Sequence, residues 1–281
     1  MLEIYKFECF TSPCEVQLYC DDKLQADNCA KDILSEAKRL EKKYNYFDSN
    51  SFLHEINSRK TTKLDSETKS LLSRAKQYFT KTEGIFDITI ATIKDIYNES
   101  ATLEDIKSKK AFLLQYVGSK HFTIKKDKIY FNNEFTKLDL GGFVKEYSVD
   151  RAVTIIRKYK IKSALINFGG DIFAIGTKPN GQKYSIGITN PKDKESVLFT
   201  INIENQALTT SASYERYQTI ENQEISHILS KDELKTDILS ATVVSNSCVE
   251  SGVFTTALMI NKNTKTAHKK YLIDTSLEVI Q

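Results

Sequence analysis

Seven of the ten glycines fall between Gly141 and Gly187, in a stretch that carries two GG pairs. The first pair sits in Leu138-Asp139-Leu140-Gly141-Gly142-Phe143-Val144-Lys145-Glu146-Tyr147, where a strand-like end meets a double glycine and then a helical run. Such a corner leaves N–H groups at a helix start, where an anion gains from hydrogen bonds and from the helix dipole. Lys145, in the first turn, adds a compact positive charge. The spacing is neither GxGxxG nor GxxxxGK[ST], so neither nucleotide fingerprint applies, and a plain structural corner also accounts for the pattern. The second pair, Asn167-Phe168-Gly169-Gly170-Asp171, joins two apolar runs. A hairpin turn explains it, and glycines bracketed by polar residues also let a planar or phosphate group approach the backbone. In Thr209-Thr210-Ser211-Ala212-Ser213-Tyr214-Glu215-Arg216, hydroxyls lie beside an aromatic ring and an arginine, which also reads as a polar strand end. His227 is a side chain able to take a proton near neutral pH, or a structural histidine after a strand.

The elements that must hold these groups are partly readable. Ala26, Ala30, Ile33, Leu34, Ala37, Leu40 and Tyr44 fall on one face of a helix over 24–44, with charged residues opposite. A second helix is expected over 66–82, with Leu71, Leu72, Ala75 and Phe79 inward, Asp65 or Ser66 as its cap and Gly84 as its end. Residues 121–124 and 129–131 flank a polar Lys125-Lys126-Asp127-Lys128 and predict a hairpin; two further strands are expected around a turn at Ser12-Pro13. Helical spacing returns over 144–159, followed by β-type runs at 164–168, 172–175, 184–188, 197–203 and 239–244, a helix over 249–260 and a terminal strand. Helices and strands mix without βαβα alternation, which predicts an α+β fold with largely antiparallel sheet in one unit over 1–281.

Composition narrows the function. Forty Lys plus Arg against 37 Asp plus Glu gives a formal charge of +3 over 281 residues, far from a dedicated nucleic-acid binder. Five cysteines are dispersed, with no CxxC pair and no histidine at ligand spacing, which argues against thiolate metal binding and for a reducing compartment. Glu3, Lys6 and Glu8 interrupt any apolar run at the start, and no window approaches the roughly 20 apolar residues of a membrane span. The expectation is a soluble, cytoplasmic protein.

The blocks, in this order and spacing, resemble the ApbE family of flavin transferases. That family's DLGGxAKGYxxD segment is matched by Asp139-Leu-Gly-Gly-Phe-Val-Lys-Glu-Tyr-Ser-Val-Asp150, its NxGGD turn by 167–171, its TSGxYER block by 210–216, its histidine segment by His227-Ile-Leu229 and its TA helix by Thr255-Thr-Ala-Leu258. Upstream, Tyr46-Phe47-Asp48 through Ser51 and Asn57 resembles its S-x-Y…S-x-L…LN stretch, and Gly84-Ile85-Phe86-Asp87 its G-x-F-D turn. The resemblance covers roughly residues 10–275. It implies a T-fold-like α+β architecture and a reaction in which FAD is cleaved at its pyrophosphate and FMN is moved to a Thr or Ser of a target flavoprotein, releasing AMP with the help of Mg²⁺.

Carried over residue by residue, the resemblance implies that Lys145 and the amides near Gly141 and Gly142 face the flavin nucleotide, with Asp139 and Asp171 close by and Asp150 anchoring the helix. Thr210, Ser211 and Tyr214 would line the flavin pocket, and His227 would contact FAD or take the acceptor's proton. Val144, by its carbonyl, and Thr256 would bind the metal. The family's metal-binding aspartate falls at Gly252 here, its DPxTG turn is replaced by Ser230-Lys231-Asp232-Glu233-Leu234, and Glu146 and Ala212 stand where it has glycines. These departures leave two alternatives beside the transferase: a relative that binds FAD without turnover, or an FAD pyrophosphatase.

Overall fold

The computed structural model of the chain describes residues 1–98, 101–212, 217–221, 223–226 and 237–281. Its largest element is an eight-stranded antiparallel sheet in the order β1(Leu2–Cys9), β2(Ser12–Tyr19), β5(Ser163–Phe168), β6(Asp171–Ile175), β9(Gln206–Ala212), β12(Ile238–Ser245), β13(Lys269–Asp274), β14(Val279–Ile280). Period-two alternation turns Cys14, Val16 and Leu18 of β2 and Ala164, Ile166 and Phe168 of β5 toward one face. There they meet α1(Lys23–Tyr44) and α5(Gly141–Lys158) in a core with Cys29, Ile33, Val149, Ala152, Val153 and Ile156. The opposite face is covered by the hairpin β7(Tyr184–Asn190)–β8(Asp193–Ile203), whose Ile186, Ile188, Ile201 and Ile203 pack on Ile172, Ala174, Leu208 and Val244. Covered on both sides, β6 is buried at all five positions, which is why its run Asp-Ile-Phe-Ala-Ile carries no outward polar alternation.

A second core joins the far end of α1 to α2(Phe52–Asn57), α3(Ser66–Lys81), the hairpin β3(Phe122–Lys125)–β4(Lys128–Phe131), and the starts of α5 and α6(Cys248–Ile260) through Leu40, Leu72, Phe86, Phe143 and Val253. A 3₁₀ segment (Ile88–Ile96) packs against α4(Leu103–Leu113), and β10(Tyr217–Ile220) pairs with β11(Gln223–Ser226). The fold is α+β with largely antiparallel sheet, as the mixed pattern predicts. Among the described residues no helix is long and apolar enough to cross a membrane. All five cysteines are buried and unpaired.

Several expectations need correction. The first hairpin turns at Phe10-Thr11, both at positive φ (54° and 53°), and Ser12 already pairs with Cys9, so Ser12-Pro13 belongs to a strand. The turn carries no Gly, Asn or Asp, the residues that signal such a bend. On α1, Leu34 is 36% exposed and Cys29 takes an inward place instead. On α3, Tyr78 is buried where Phe79 was expected; Phe79 lies over Gly84, whose φ of +86° ends the helix as anticipated. α5 begins at Gly141, three residues before the expected start, because the GG pair forms its first turn.

Candidate functional site

The double-glycine corner is built from behind by residues far upstream. Asn57, at the end of α2, donates from Nδ2 to the Leu138 carbonyl and accepts the Leu138 N–H at Oδ1, both at 2.8 Å, which fixes the strand-like approach to Asp139. Asp139 accepts the Gly141 N–H at 2.8 Å and pairs with Lys94. Lys94 lies 4.8 Å from the centre of the Tyr46 ring and 4.5 Å from that of Phe47, which is 79% exposed. Three of the first four amides of α5 are engaged, Gly141 with Asp139 and both Phe143 and Val144 with the Leu140 carbonyl. The corner is nonetheless open: Gly141 and Gly142 are exposed, and a Cβ on Gly142 would meet nothing within 4 Å.

From this corner Lys145 reaches the second glycine pair. Its Nζ lies 2.9 Å from Asp171 Oδ2 and donates to the Gly169 carbonyl at 3.4 Å. The turn is shaped for glycine at both positions, with φ of +57° at Gly169 and +91° at Gly170. Asn167 accepts the Gly170 N–H, and the Gly169 N–H donates to Pro13. A Cβ on Gly169 would sit 2.6 Å from Ser12 Cβ, so the β1–β2 turn seals one side of the bend. Two motifs separated by more than twenty residues thus meet around one partly exposed ammonium and one buried carboxylate.

α6 crosses α5 just behind this pair. Asp150 accepts the Cys248 N–H at 2.7 Å and the Val249 N–H at 3.2 Å, so a carboxylate on α5 caps α6 and fixes how the helices cross. Burial raises the Asp150 carboxyl above its ordinary range, against the pull of those two amides. At the crossing Gly252 faces Glu146, whose carboxyl is driven upward by burial and then by Asp171, with Lys145 opposing. Glu146 is 7% exposed and its Oε2 has no hydrogen-bond partner among the described residues. β9 is tied to the same helix by hydroxyls: the Thr209 N–H donates to Ser251 Oγ, Ser211 donates to Thr255 Oγ1, and Thr255 donates to the Gly252 carbonyl.

The site residues named from sequence are distributed unevenly. Asp139, Gly141, Gly142, Lys145 and Asp171 gather around the two glycine turns, with Val144 buried in the first turn of α5. Ser211 faces α6. Thr210 does not: strand alternation turns it to the opposite face of the sheet, where its Oγ1 lies 2.9 Å from that of Thr242. Thr256 is half-buried on α6, one residue beyond the fully buried Thr255. Tyr214 and His227 lie outside the described residues. Ser12, Lys94, Asn57 and Glu146 are not among the site residues expected from sequence. Two of them carry a signal there: Asn57 ends the stretch that resembles the family's LN motif, and Glu146 stands where the resemblance has glycine.

Among the described residues no cluster of three or more His, Cys, Asp or Glu side chains could hold a metal ion. Mg²⁺ does not need one, since it is commonly held by one or two carboxylates, waters and substrate phosphates. The buried, unpartnered Glu146 oxygen is a hard donor of that kind, so the residues present fit such an ion.

A sequence profile of the ApbE family matches residues 10–277. An FAD:protein FMN transferase of Klebsiella pneumoniae is 32% identical over 126 residues, covering 43% of this chain and 38% of that relative. One from Buchnera aphidicola is 26% identical over 245 residues, covering 79% and 72%. The crystal structure of the ApbE protein from Thermotoga maritima superposes with a TM-score of 0.89 at 21% identity, over 100% of this chain and 97% of that one. At that identity the likeness establishes the fold.

Proposed function

This chain belongs to the ApbE family, and from that premise we propose that it moves FMN from FAD to a Ser or Thr hydroxyl of an acceptor flavoprotein, with release of AMP. The relatives named FAD:protein FMN transferase support this reading. The observation that carries it is the meeting of Lys145, Asp171 and Gly169 beside the open corner at Gly142.

In this reading the acceptor oxygen attacks the phosphorus on the FMN side. The P–O bond to the bridging oxygen breaks, AMP leaves with the electron pair, and His227 takes the hydroxyl proton. Such a displacement depends on positioning and on neutralising phosphate charge rather than on a covalent intermediate. Lys145 exchanges its contact with Asp171 for a phosphate oxygen, and Asp171 returns it to position afterwards. Asp139 holds the corner in shape, Ser211 and Tyr214 line the flavin side, and Thr210 acts only through the pairing of β9 with β12, where it meets Thr242. The Val144 carbonyl and Thr256 would hold a divalent cation, Mg²⁺ for preference, which would supply further charge neutralisation on the pyrophosphate. The unit extends over 1–281, and five buried, unpaired thiols favour a reducing, cytoplasmic setting.

The test is mass spectrometry of an acceptor carrying a Ser/Thr flavinylation motif, incubated with the protein, FAD and Mg²⁺. A covalent FMN increment with stoichiometric AMP supports transfer. AMP and free FMN with an unchanged acceptor would make the protein a pyrophosphatase, bound FAD without turnover a carrier, and absence of FAD binding would overturn the reading altogether.

A further inference from the structure

α5 and α6 approach so closely at Glu146 and Gly252 that, with the Glu146 side chain where it lies, position 252 has no room for one of its own. A Cβ built on Gly252 would lie 2.6 Å from Glu146 Cγ, 2.8 Å from its Oε1 and 3.0 Å from its Cδ. In the motif this chain resembles, glycine stands at the α5 position and a carboxylate at the α6 position; here Glu146 and Gly252 stand the other way round.

The displaced carboxylate is short of partners. Glu146 is more than nine-tenths buried, its Oε2 has no hydrogen-bond partner among the described residues, and Lys145 is already paired with Asp171. Two buried acids therefore share one nearby lysine, while the third, Asp150, is answered by two amides of α6. A buried carboxylate left in this state is costly unless it keeps a proton or a cation arrives, and a cation bound there would displace that proton. Among the described residues the lysine beside it, Lys145, faces the glycine turn. Neighbouring oxygens can complete a shell: the Val144 carbonyl and Thr256 belong to the same two helices, and the remaining positions of a hard divalent ion go to water and phosphate.

We propose that Glu146 is the carboxylate ligand of the divalent cation in this chain, doing from α5 what an aspartate at position 252 would do from α6. The assignment rests on the transferase reading for its purpose but is measurable apart from it. Mn²⁺ is titrated into the full chain, with and without FAD, and the free-ion signal is followed by electron paramagnetic resonance for the wild type, Glu146→Gln and the exchange variant Glu146→Gly/Gly252→Asp. The wild type should bind one Mn²⁺ that Mg²⁺ displaces; Glu146→Gln, which keeps the shape of the side chain, should weaken it on the order of tenfold or more. The exchange variant should recover most of that loss. Unfolding temperatures without metal separate a ligand from a packing role, since a side chain that merely fills the crossing would leave Mn²⁺ affinity untouched in Glu146→Gln. Unchanged affinity in Glu146→Gln, or no Mn²⁺ binding by a wild type that binds FAD, overturns the proposal. Mn²⁺ bound through Glu146 by a protein that binds no FAD would instead sink the transferase reading alone.

Discussion

On the flank formed by α1 and α3, Arg39 bridges Glu36 at 2.8 Å and Glu67 at 2.7 Å, and Lys43 reaches both Asp65 and Glu67. At the crossing of α5 and α6, Glu146 and Asp171 lie beside a single lysine, and one carboxylate oxygen of Glu146 meets no donor among the described residues. Both regions bring several charges together. The first does so near solvent with every acid answered, and pairs of that kind are each worth well under 1 kcal/mol or so. The second does so out of water and leaves an acid unanswered, which folding alone has no reason to keep. Excess buried charge marks where a chain gives up stability for a task, and the contrast locates that task at the crossing.

The contrast can be broken most directly at Lys145. Lys145→Ala is expected to slow FMN transfer by about 10²–10³-fold, as when a preorganised charge is removed from a phosphoryl site. Arg39→Ala, on the flank, should change it less than about threefold. Initial rates of acceptor labelling decide between them, and equal losses would erase the distinction. Next in size is Gly169→Ala, which combines φ of +57° with a Cβ only 2.6 Å from Ser12 Cβ. It should cost about 2–3 kcal/mol by denaturant unfolding, with partial recovery in Gly169→Ala/Ser12→Gly.

Asp150→Ala removes the cap that α5 gives α6 and should cost about 1–2 kcal/mol by the same measurement. It should also weaken Mn²⁺ binding, because the crossing that faces Glu146 toward Gly252 loosens. The smallest effect belongs to the flank. Burial pushes the Glu67 carboxyl up, but hydrogen bonds from Arg39 and Lys43 outweigh it and bring it to about 2. An acid held below its unfolded value stabilises the fold above that unfolded value and loses the contribution as pH falls through the folded one. Glu67→Gln should therefore lower the melting temperature by a few degrees at about pH 7, a difference that shrinks below about pH 4 and closes only near about pH 2.

How much of this was legible depended on whether the signal was local. The α1 helix, the Gly84 stop, the β3–β4 hairpin and the turn at Gly169-Gly170 are read from local signals and stand as expected, while the stripe of α1 exchanges Leu34 for Cys29 and α5 starts at Gly141. The Phe10-Thr11 turn escaped because it uses residues that rarely take positive φ. α2, α4 and the 3₁₀ segment at Ile88–Ile96 are too short or too evenly apolar for periodicity to register. At the site, Lys145 and Asp171 were found by motif, but the opposed facing of Thr210 and Ser211 follows only once β9 is recognised as a strand through Ala212. Glu146 and Gly252 each stood out as departures. That they fill one space could not be read from a chain in which 106 positions part them and a capping carboxylate decides how the helices meet.

The burial of every cysteine has a practical side. With four thiols at most 2% exposed and Cys20 at 8%, the native protein should react slowly with maleimides and iodoacetamide, so one cysteine introduced at an exposed place such as Val197 becomes a preferred handle. A spin label or fluorophore attached there would report distances to a paramagnetic ion or to a yellow cofactor without any wild-type sulfur having first to be removed.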